Sequence, residues 1–406
     1  MPNSQHSVLY EKHLELTDKS RMAEFAGYLM PLWYSSISDE HQAVRFAAGL
    51  FDCTHMGVWQ VAGADSAEFV DLITTNRARS LSVGAAQYSY ILNEAGEILD
   101  DIIVYRRGDE EYMLVVNAAN NDKIAAWLTE VSAILRQHNF TPAPNIHDLR
   151  DPKQTSDCRV DIAMQGPVSE TILLALSDET IKQKIKQLKP FRFIEATVQG
   201  IDLIISRTGY TGAKVGYELF VHPDQASQLW DLLLETGGPL GLKPCGLGAR
   251  DSLRIEAGLP LYGHELAGEY DISPFAAGYG WAVKLDKDFF IGQDQMKRES
   301  VAYKMAVQRI ELPGERGVRP VRPGDAVLTD DGDCAGWVLS CAKVGEKQIA
   351  LARLEREKVK TNDSIGIYYV ARNARHIQQG RKETVEKGEA LVADITGMIV
   401  ERMAKF

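Results

Sequence analysis

Two adjacent carboxylates, Asp100 and Asp101, stand in an apolar, strand-like part of the sequence. Because successive side chains of a β-strand point to opposite faces, such a strand places the two carboxylates on opposite sides of a sheet. One of them can then face a cavity, where a carboxylate stabilises a developing positive charge or assists a proton transfer. The other faces solvent or a turn. The alternative for either residue is a structural one, an acid at a strand start that makes hydrogen bonds to a turn.

Arg250 and Glu218 are the other charged residues whose surroundings suggest a ligand. Arg250 belongs to a predicted helix that ends at Gly258, with Pro260 beyond it as a stop signal. A fixed guanidinium can orient a carboxylate or bind an acidic ligand group. Its alternative is an ion pair on the helix surface, which is the leading interpretation for Arg254. Glu218 lies in a strand whose apolar residues face the other way, so its alternative is a solvated strand face.

Several kinds of site are not expected from the sequence. The five cysteines form no CxxC pair and no Cys/His metal spacing, which argues against a disulfide framework and a structural zinc ion. We expect His55 to be buried and hydrogen-bonded rather than catalytic, because no Ser/His/Asp order or Gly-rich phosphate loop stands out. Gly246 and Gly248 do not form a dinucleotide-binding motif, since the strand and acidic residue that it requires are missing.

The elements that must position these residues follow two cycles of strands and helices. In the first cycle Asp65 begins a helix, with Glu68 as its capping-box partner. The strand-like segments of this cycle are residues 58–61, 88–92, 102–105 and 112–116. The second cycle has strand-like residues 160–164, 197–206 and 217–221 and helical residues 168–176 and 227–234. This order is typical of split βαβ units and predicts an α+β fold.

The character of the chain changes after about residue 305. Short strand-like pieces there are separated by Gly, Pro and Asp turns, which predicts a mostly β C-terminal domain. Residues 373–387 are polar and charged and are predicted to form an exposed excursion.

Composition limits the class of protein and its partners. The chain has 406 residues, 45% hydrophobic and 25% charged, and a net charge of -11. That charge argues against a nucleic-acid partner, because binding nucleic acid requires a basic face. No apolar run is long enough to cross a bilayer, and residues 1–16 lack the features of a signal peptide. We therefore expect a cytoplasmic protein without a membrane partner.

A series of short segments is more specific than these patterns. The segments are residues 9–13 (LYEKH), 25–28 (FAGY), 30–32 (MPL), 51–57 (FDCTHMG), 98–105 (ILDDIIVY), 115–120 (VVNAAN), 207–212 (RTGYTG), 216–218 (GYE), 246–251 (GLGARD) and 254–263 (RIEAGLPLYG). In this order they resemble the aminomethyltransferase family, which includes the T-protein of the glycine cleavage system. The resemblance covers roughly residues 8 to 295.

The resemblance implies a fold, a reaction and partners. Family members form a three-domain cloverleaf with folate in a central channel. We therefore expect two interleaved α+β domains with ferredoxin-like units over residues 1–304 and a C-terminal β-barrel domain over residues 305–406. The implied enzyme takes an aminomethyl group from the lipoyl arm of a carrier protein (H-protein) and transfers its carbon to tetrahydrofolate, releasing ammonia. Tetrahydrofolate is the expected cofactor and the lipoylated carrier the expected partner; no metal is expected.

The resemblance also assigns roles to individual residues. Asp101 is the inward carboxylate, beside the nucleophilic nitrogens of the pterin, and Arg250 lies next to it. Glu218 accepts the pterin's amino group and ring N–H, which stand side by side. Tyr210, between two glycines, exposes its ring to a flat ligand. The remaining pocket positions are Met56, Tyr88, Ile103, Tyr105, Asn117 and Tyr262. Without the resemblance, Met56, Tyr88, Ile103 and Tyr105 would be assigned to the core and Asn117 to a turn.

Four departures from the family pattern fall at the rim of the expected channel. Residues 212–216 (GAKVG) replace an acidic connection and are one residue longer, and Glu97 replaces a common glycine. Residues 340–345 (SCAKVG) are a shortened form of a family loop that contains Ser-Pro. The chain also stops at Phe406 without the family's Pro-Phe and Arg continuation and carries the extra residues 373–387. These changes favour, as an alternative, a folate-dependent demethylase or methyltransferase that takes its carbon from a free N-, O- or S-methyl donor.

A non-enzymatic folate-binding protein is the third possibility, since relatives of this fold serve in iron–sulfur assembly. Those relatives carry a Lys-Gly-Cys-x-x-Gly-Gln motif. The nearest segment here, residues 290–293 (FIGQ), has no cysteine, which argues against this class.

Overall fold

The chain divides into two units in the computed structural model, which describes residues 4–137, 144–404 and 406. The first unit is built from Met1–Arg250 and Ala282–Met296, and the second from Asp251–Trp281 and Lys297–Phe406. The expected domains at residues 1–304 and 305–406 stay a prediction.

Fourteen strands of the first unit are described. They are β1 Gln5–His6, β2 Met22–Phe25, β3 Tyr28–Pro31, β4 Ala48–Asp52, β5 Gly57–Ala62, β6 Ala85–Leu92, β7 Ile98–Gly108, β8 Glu111–Val116, β9 Asn145–Asp148, β10 Val160–Gln165, β11 Phe193–Val198, β12 Ile201–Ser206, β13 Gly216–Val221 and β14 Leu242–Cys245. They form a six-stranded sheet in the order β11-β12-β13-β10-β4-β14, a five-stranded sheet in the order β6-β7-β8-β5-β9 and a small sheet β1-β3-β2.

The helices of the first unit lie between these strands. They are α1 Tyr10–Leu16, α2 Ile37–Phe46, α3 Ser66–Ile73, α4 Asn121–Gln137, α5 Ser169–Leu176, α6 Glu179–Gln187 and α7 Pro223–Gly237. Two further helices, α8 Leu247–Ala257 and α9 Gln293–Ala302, contain residues of both units. Short 3₁₀ turns occur at Lys19–Arg21, Ala118–Asn120, Gly238–Leu240, Gly268–Tyr270 and Gly280–Ala282.

Each large sheet buries one face under helices and the other against its neighbour. The six-stranded sheet packs Ile162 and Leu219 into a core with α5, α6 and α7. The five-stranded sheet packs Ile102 into a core that includes residues of α3 and α4. The opposite faces share one cluster, in which Tyr105 of β7 contacts Phe220 of β13 with ring centroids 5.4 Å apart. We call the surfaces that meet there the shared faces.

Two local expectations differ from the structure. The predicted strand over residues 197–206 is a hairpin of β11 and β12, because Gln199 and Gly200 both adopt positive φ, 50° and 77°. Two such residues in succession form the turn that suits the twist of a hairpin. Asp65 is the N-cap residue of α3 but makes no side-chain cap, and Glu68 forms an ion pair with Arg79 at 3.1 Å instead of a capping box.

The second unit contains a closed six-stranded barrel. Its strands are β15 Met305–Pro313, β16 Ala326–Leu328, β17 Cys334–Val344, β18 Lys347–Glu355, β19 Ser364–Tyr368 and β20 Ile395–Val400, and its helix α10 is Ala374–Gln378. The barrel order is β15-β18-β17-β16-β19-β20, closed by pairing of β20 with β15. Most of residues 373–387 are exposed, as expected. The predicted α+β class with a C-terminal β-barrel is confirmed.

None of the helices within residues 4–137, 144–404 and 406 has the length and apolar character needed to span a membrane.

Candidate active site

The carboxylate of Asp101 is held at both oxygens on the shared face of β7. Its Oδ2 accepts a hydrogen bond from the hydroxyl of Tyr88 on β6 at 2.9 Å, and its Oδ1 accepts one from Nδ2 of Asn117 at 2.9 Å. Asp101 is half-buried, and Ile103 and Tyr105 follow it on the same face. The carboxylate is therefore oriented by two donors while part of it remains accessible.

Asp100 lies on the other face of β7 and is fully buried. Its Oδ2 accepts the backbone N–H of Asn117 at 2.8 Å, and its Oδ1 accepts Nδ2 of Asn117 at 2.8 Å and Nδ2 of Asn120 at 2.5 Å. These bonds fasten the turn Ala118–Asn120 to the strand. Asp100 thus takes the turn-holding role predicted for one carboxylate, and it places Asn117, whose amide also reaches Asp101.

The two carboxyl groups hold protons to higher pH than ordinary acids. Burial and the charge of Asp101 raise the pKa of Asp100, although Asn117 and Asn120 donate to it. Burial also raises the pKa of Asp101, although hydrogen bonds from Tyr88 and Asn117 lower it. Because the groups are neighbours, they titrate as a pair rather than independently.

The apolar and aromatic candidates lie where the shared faces meet. Tyr105 is fully buried, while Met56, Tyr88 and Ile103 are half-buried. The shared cluster includes Tyr105, and Met56 and Ile103 pack against it. The core assignment therefore holds for Tyr105, whose hydroxyl nevertheless donates to Glu218 at 3.3 Å. The three half-buried side chains keep surface that a ligand can contact.

Glu218 is half-buried on the shared face of β13, while Tyr217 and Leu219 belong to the helix-covered core. Its Oε2 accepts hydrogen bonds from the hydroxyls of Tyr105 and Thr208. Among the described residues, the hydroxyls of Tyr105 and Thr208 both donate to Oε2, so Oε1 makes neither of these bonds and can meet a ligand donor. The sequence-based alternative, a solvated strand face, is wrong for this residue.

Arg250 lies over the ring of Tyr210, with its guanidinium carbon 5.0 Å from the ring centroid. Burial by itself lowers the pKa of Arg250, but Cys53, Tyr210 and Glu218 raise it and leave it above its ordinary value. The guanidinium therefore keeps its charge in a site that water reaches poorly. A cation over an aromatic face is also stabilised by the ring.

Glycines on both sides of Tyr210 are required by their surroundings. A Cβ at Gly209 would lie 2.0 Å from Oε1 of Gln165, and Gly212 has a φ of +76°. Gln165 is buried on the shared face of β10, and its amide Nε2 donates to the carbonyl of Thr208 at 3.1 Å. The loop that carries Tyr210 is thus packed directly onto the six-stranded sheet.

The start of α8, which carries Arg250, is fixed by a buried carboxylate and by close backbone packing. Glu40 is fully buried and accepts the N–H groups of Gly246 at 2.8 Å and Ser35 at 2.9 Å. The N–H of Gly248 donates to the carbonyl of Leu32 at 2.9 Å. A Cβ at Gly246 would lie 2.6 Å from that carbonyl. The two glycines therefore serve backbone contact rather than dinucleotide binding.

A buried triad anchors the segment next to the site. His13 hydrogen-bonds Asp52 through Nε2 at 2.7 Å and Tyr34 through Nδ1 at 2.8 Å. Burial alone would raise the pKa of Asp52, but the hydrogen bond and charge of His13 outweigh that effect and leave the pKa well below its ordinary range. His55 is buried as expected, but among the described residues its Nδ1 has no hydrogen-bond partner. Burial lowers the pKa of His55 to about 4, which keeps the imidazole neutral at pH 7.

Comparison with known proteins gives the family of this fold and site. The family model described as the GCVT N-terminal domain matches residues 9–287, more than half of the chain. An aminomethyltransferase of Desulforamulus reducens is 40% identical over 344 residues, which cover 84% of this chain and 86% of that protein. An aminomethyltransferase of Symbiobacterium thermophilum is 40% identical over 357 residues, covering 86% of this chain and 88% of that protein.

The chain belongs to the aminomethyltransferase family. The family predicted from the sequence is confirmed, and with it the prediction of an enzyme that transfers one-carbon groups. A crystal structure of the glycine cleavage system aminomethyltransferase T from Bartonella henselae matches with a TM-score of 0.76 and 27% identity, covering 98% of this chain and 97% of that one. The T-protein type of fold is therefore confirmed as well.

Two residues of the family motif after Arg250 belong to the second unit. Tyr262 is half-buried there, and its role at the substrate stays a prediction. Arg254 is 1% exposed and donates to Asp251 at 2.8 Å and to the fully buried Glu265. The expected surface ion pair is therefore wrong for Arg254, which forms a buried ion pair inside the second unit.

Asp161 is a further candidate site residue, which the sequence did not single out. It lies on the shared face of β10, is 3% exposed, and its Oδ1 has no hydrogen-bond partner among the described residues. Burial and the charge of Glu218 raise the pKa of Asp161 well above its ordinary value, while Arg250 lowers it. The signal in the sequence was a single acid inside an apolar strand, which is uncommon without a partner.

A cavity of about 350 Å³ elsewhere in the first unit has a different character. Its lining includes neither Asp101 nor Glu218, and several of its charged side chains pair with one another. Arg77 binds Asp286, and Lys287 binds Asp71 at 3.3 Å. We therefore assign the candidate site to the shared faces and not to this cavity. Within the described part of the chain, no cluster of three His, Cys, Asp or Glu side chains could hold a metal ion.

Proposed function

We propose that this protein is a tetrahydrofolate-dependent aminomethyltransferase of the glycine cleavage system. It would move the methylene carbon of an aminomethyl group from the lipoyl arm of a carrier protein to tetrahydrofolate, with release of ammonia. The names of the relatives at 40% identity support this reaction. So does the arrangement of ionisable groups in the first unit.

The observation that carries the proposal is the position of Asp101. Its carboxylate is half-buried, has both oxygens oriented by Tyr88 and Asn117, and opens onto the face that carries Glu218. A preoriented carboxylate in a poorly hydrated site stabilises a positive charge that develops nearby at little reorganisation cost. The buried Asp100 gives that arrangement its rigidity, because it holds Asn117 in place.

The residues present fit the head group of a folate. A pterin carries an amino group and a ring N–H side by side, and the carboxylate of Glu218 matches two such donors. Tyr210 offers a half-buried ring beside the Arg250 guanidinium. Asp161 adds a buried oxygen that lacks a partner among the described residues. A flat ligand with polar groups along one edge would engage Glu218 and Asp161 together and stack beside Tyr210.

The chain's own contribution to the reaction follows from these positions. Tetrahydrofolate, when bound, supplies the nucleophilic nitrogens that receive the carbon. Asp101 stabilises the positive charge of the attacking nitrogen and accepts or relays its proton. Arg250 orients the neighbouring carboxyl groups, and Glu218 fixes the head group. The half-buried apolar side chains of Met56 and Ile103 exclude water from its faces.

The partner and location follow from the proposed reaction. A lipoylated carrier of the H-protein kind is the donor, and a cytoplasmic enzyme without nucleic-acid or membrane partners is the corresponding expectation. The net charge of -11 gives the nucleic-acid part of that expectation its physical reason.

The reaction is tested with an aminomethylated lipoyl carrier and tetrahydrofolate. We expect equal amounts of ammonia and methylenetetrahydrofolate, and no turnover when either substrate is omitted. Tight binding of tetrahydrofolate without turnover would contradict the carrier as donor while retaining folate recognition. Absence of folate binding would contradict the proposal as a whole.

A second candidate is a folate-dependent demethylase that uses a free N-, O- or S-methyl donor. One structural observation favours it. The sequence predicted a shortened family loop at residues 340–345. In the structure residues 340–344 form the end of β17, and the Ser340 hydroxyl donates a hydrogen bond to Glu265. A difference from the family pattern at this segment suits a different donor. Turnover with the lipoylated carrier, together with no reaction of free methyl donors of the three classes, would eliminate this candidate.

A further inference from the structure

Asp161 is placed beside Glu218 by the pairing of β10 with β13. In that register Glu218 lies opposite Ala163, two residues from Asp161 on the same strand. Ile162 points into the helix-covered core, so Asp161 and Ala163 share the opposite face with Glu218. Asp161 and Glu218 are therefore diagonal neighbours, a relation in which Cα atoms lie about 7–8 Å apart and side chains reach one another.

One oxygen of Asp161 is left without a partner. The residue is 3% exposed, and in the part of the chain that the structure describes nothing hydrogen-bonds its Oδ1. Buried polar side-chain atoms nearly always have a partner in the protein or in ordered solvent. An exception on the same sheet face as the half-buried Glu218 indicates that a bound molecule supplies the missing hydrogen bond.

The charges around Asp161 determine which kind of hydrogen bond it makes. The ionisable groups that interact electrostatically with Asp161 are Glu218 from β13, Arg250 from α8, Tyr105 from β7, and Asp52 and Cys53 from the end of β4. A single guanidinium among these carboxyl groups does not favour full ionisation of closely spaced acids in a dry site. The pKa of Asp161 is raised well above its ordinary value, first by burial and then by Glu218. Asp161 is therefore the member of this carboxyl pair that is suited to hold a proton and to donate an O–H.

We propose that Asp161 is a second recognition residue for the substrate head group, which donates a hydrogen bond to a ring carbonyl next to the two donors accepted by Glu218. The ligand class is a heterocycle with an amino group, a ring N–H and a carbonyl in a row on one edge. The pterin of a folate has that edge, so the inference rests on the proposed function and specifies how its head group is read.

A pair of folates that differ at one atom tests the recognition directly. Folic acid has the ring carbonyl, and its 4-amino analogue aminopterin has an amino group there. The dissociation constants of both are measured by calorimetry with the wild-type, full-length protein at pH 7. We expect folic acid to bind at least about tenfold more tightly than aminopterin. The O–H of Asp161 and the 4-amino group of aminopterin are both donors, so they form no hydrogen bond with each other. Equal affinities for the two ligands would overturn the role of Asp161.

Two variants locate that preference at Asp161. Asp161→Leu is expected to lose about tenfold in affinity for folic acid and to lose the discrimination against aminopterin. Asp161→Asn keeps an N–H donor and should bind folic acid within about threefold of wild type. Asp202→Asn, an exposed aspartate on β12 of the same sheet, is the matched control and should behave as wild type. Thermal melting shows whether each variant is folded.

The outcomes separate this inference from the function on which it rests. Binding of folic acid by wild type, with the same affinity and the same ligand preference in Asp161→Leu, would overturn the recognition role alone. If Asp161→Leu does not fold, the test uses Asp161→Asn, which keeps an N–H donor. Loss of folic-acid binding in a folded Asp161→Asn protein would likewise overturn the recognition role alone. Failure of wild type to bind either folate would overturn the proposed function and the inference with it.

Discussion

Each large sheet of the first unit presents a pair of carboxyl groups, and the pairs differ in how far the protein satisfies them. On the five-stranded sheet the buried Asp100 accepts three hydrogen bonds from Asn117 and Asn120. On the six-stranded sheet the buried Asp161 has an oxygen without a partner among the described residues. The more accessible member of each pair, Asp101 or Glu218, lies on the shared face in both cases.

This difference in hydrogen bonding indicates that the pair Asp100 and Asp101 positions reacting groups, whereas the pair Asp161 and Glu218 recognises a ligand. A buried carboxyl group that is fully hydrogen-bonded stiffens its surroundings, and Asp100 in this way fixes the amide that orients Asp101. A buried carboxyl group that lacks a partner destabilises the free protein until a ligand completes it. We therefore expect changes in the first pair to affect the rate and the stability, and changes in the second pair to affect affinity.

The largest effect is expected at Asp101. Asp101→Asn keeps the size of the side chain and removes the charge that stabilises the reacting nitrogen, so kcat should fall by about 10²- to 10⁴-fold. The KM for tetrahydrofolate should change little, because Glu218 is untouched. The measurement is steady-state turnover with the aminomethylated carrier. Asp109→Asn, an exposed residue in the turn after β7, is the control, and an Asp101→Asn enzyme with the control's kcat would refute the assigned role.

Glu218→Gln should act mainly on binding. The amide keeps one acceptor oxygen but replaces the other with a donor, so the dissociation constant for tetrahydrofolate should rise by about 10- to 100-fold. Calorimetric titration measures this change, and kcat at saturating folate reports any effect on the reaction step. Glu235→Gln, an exposed residue of α7, is the matched substitution. A fall in kcat at unchanged affinity would reverse the comparison between the two pairs.

Asp100→Ala should reduce stability. The substitution leaves buried donors of Asn117 and Asn120 without their acceptor, which costs about 1–3 kcal/mol of unfolding free energy. Urea unfolding of wild type and Asp100→Ala gives the difference, with Asp109→Ala as the control for loss of an acid near the same strand. An unchanged unfolding free energy would show that the turn is held in another way. The variant's kcat should also fall, since Asn117 loses its support.

The smallest expected effect is a shift in the pH dependence of kcat, which tests the pair Asp100 and Asp101. The pKa of Asp101 is raised, so its ionised, active form is lost as pH falls through a value above the ordinary carboxyl range of about 4. The Tyr88 hydrogen bond lowers that pKa. Tyr88→Phe should therefore move the acid limb of the kcat profile to higher pH, by about half a unit to one unit. A shift to lower pH, or no shift in a folded enzyme, would exclude this role for Tyr88.

The same raised pKa values have a consequence for stability. A carboxyl group whose pKa is higher in the folded than in the unfolded state contributes most below its unfolded value of about 4. That contribution is lost as pH rises through the folded pKa. Asp100 and Asp101 should thus make wild type less stable as pH increases from about 4. The slope should be smaller in Asp101→Asn, as measured by urea unfolding at a series of pH values.

The sequence determined the local geometry of the first pair. Alternation along a strand put Asp100 and Asp101 on opposite faces, and the structure agrees. Gly258, with a φ of +83°, ends α8 where the sequence predicted the end. The motif segments predicted the family and identified the candidate site residues. These properties depend on neighbours in the chain, so a single sequence can specify them.

Only the tertiary structure decided which distant residues meet. The neighbourhood of Asp161 and Glu218 depends on the pairing of β10 with β13, which are separated by two helices and a hairpin. The buried pair of Arg254 with Glu265 and the buried pair of His13 with Asp52 likewise join separate segments. Strand register and burial arise from packing of the whole chain. A pattern of residue types cannot show whether an acid is satisfied, solvated or left for a ligand.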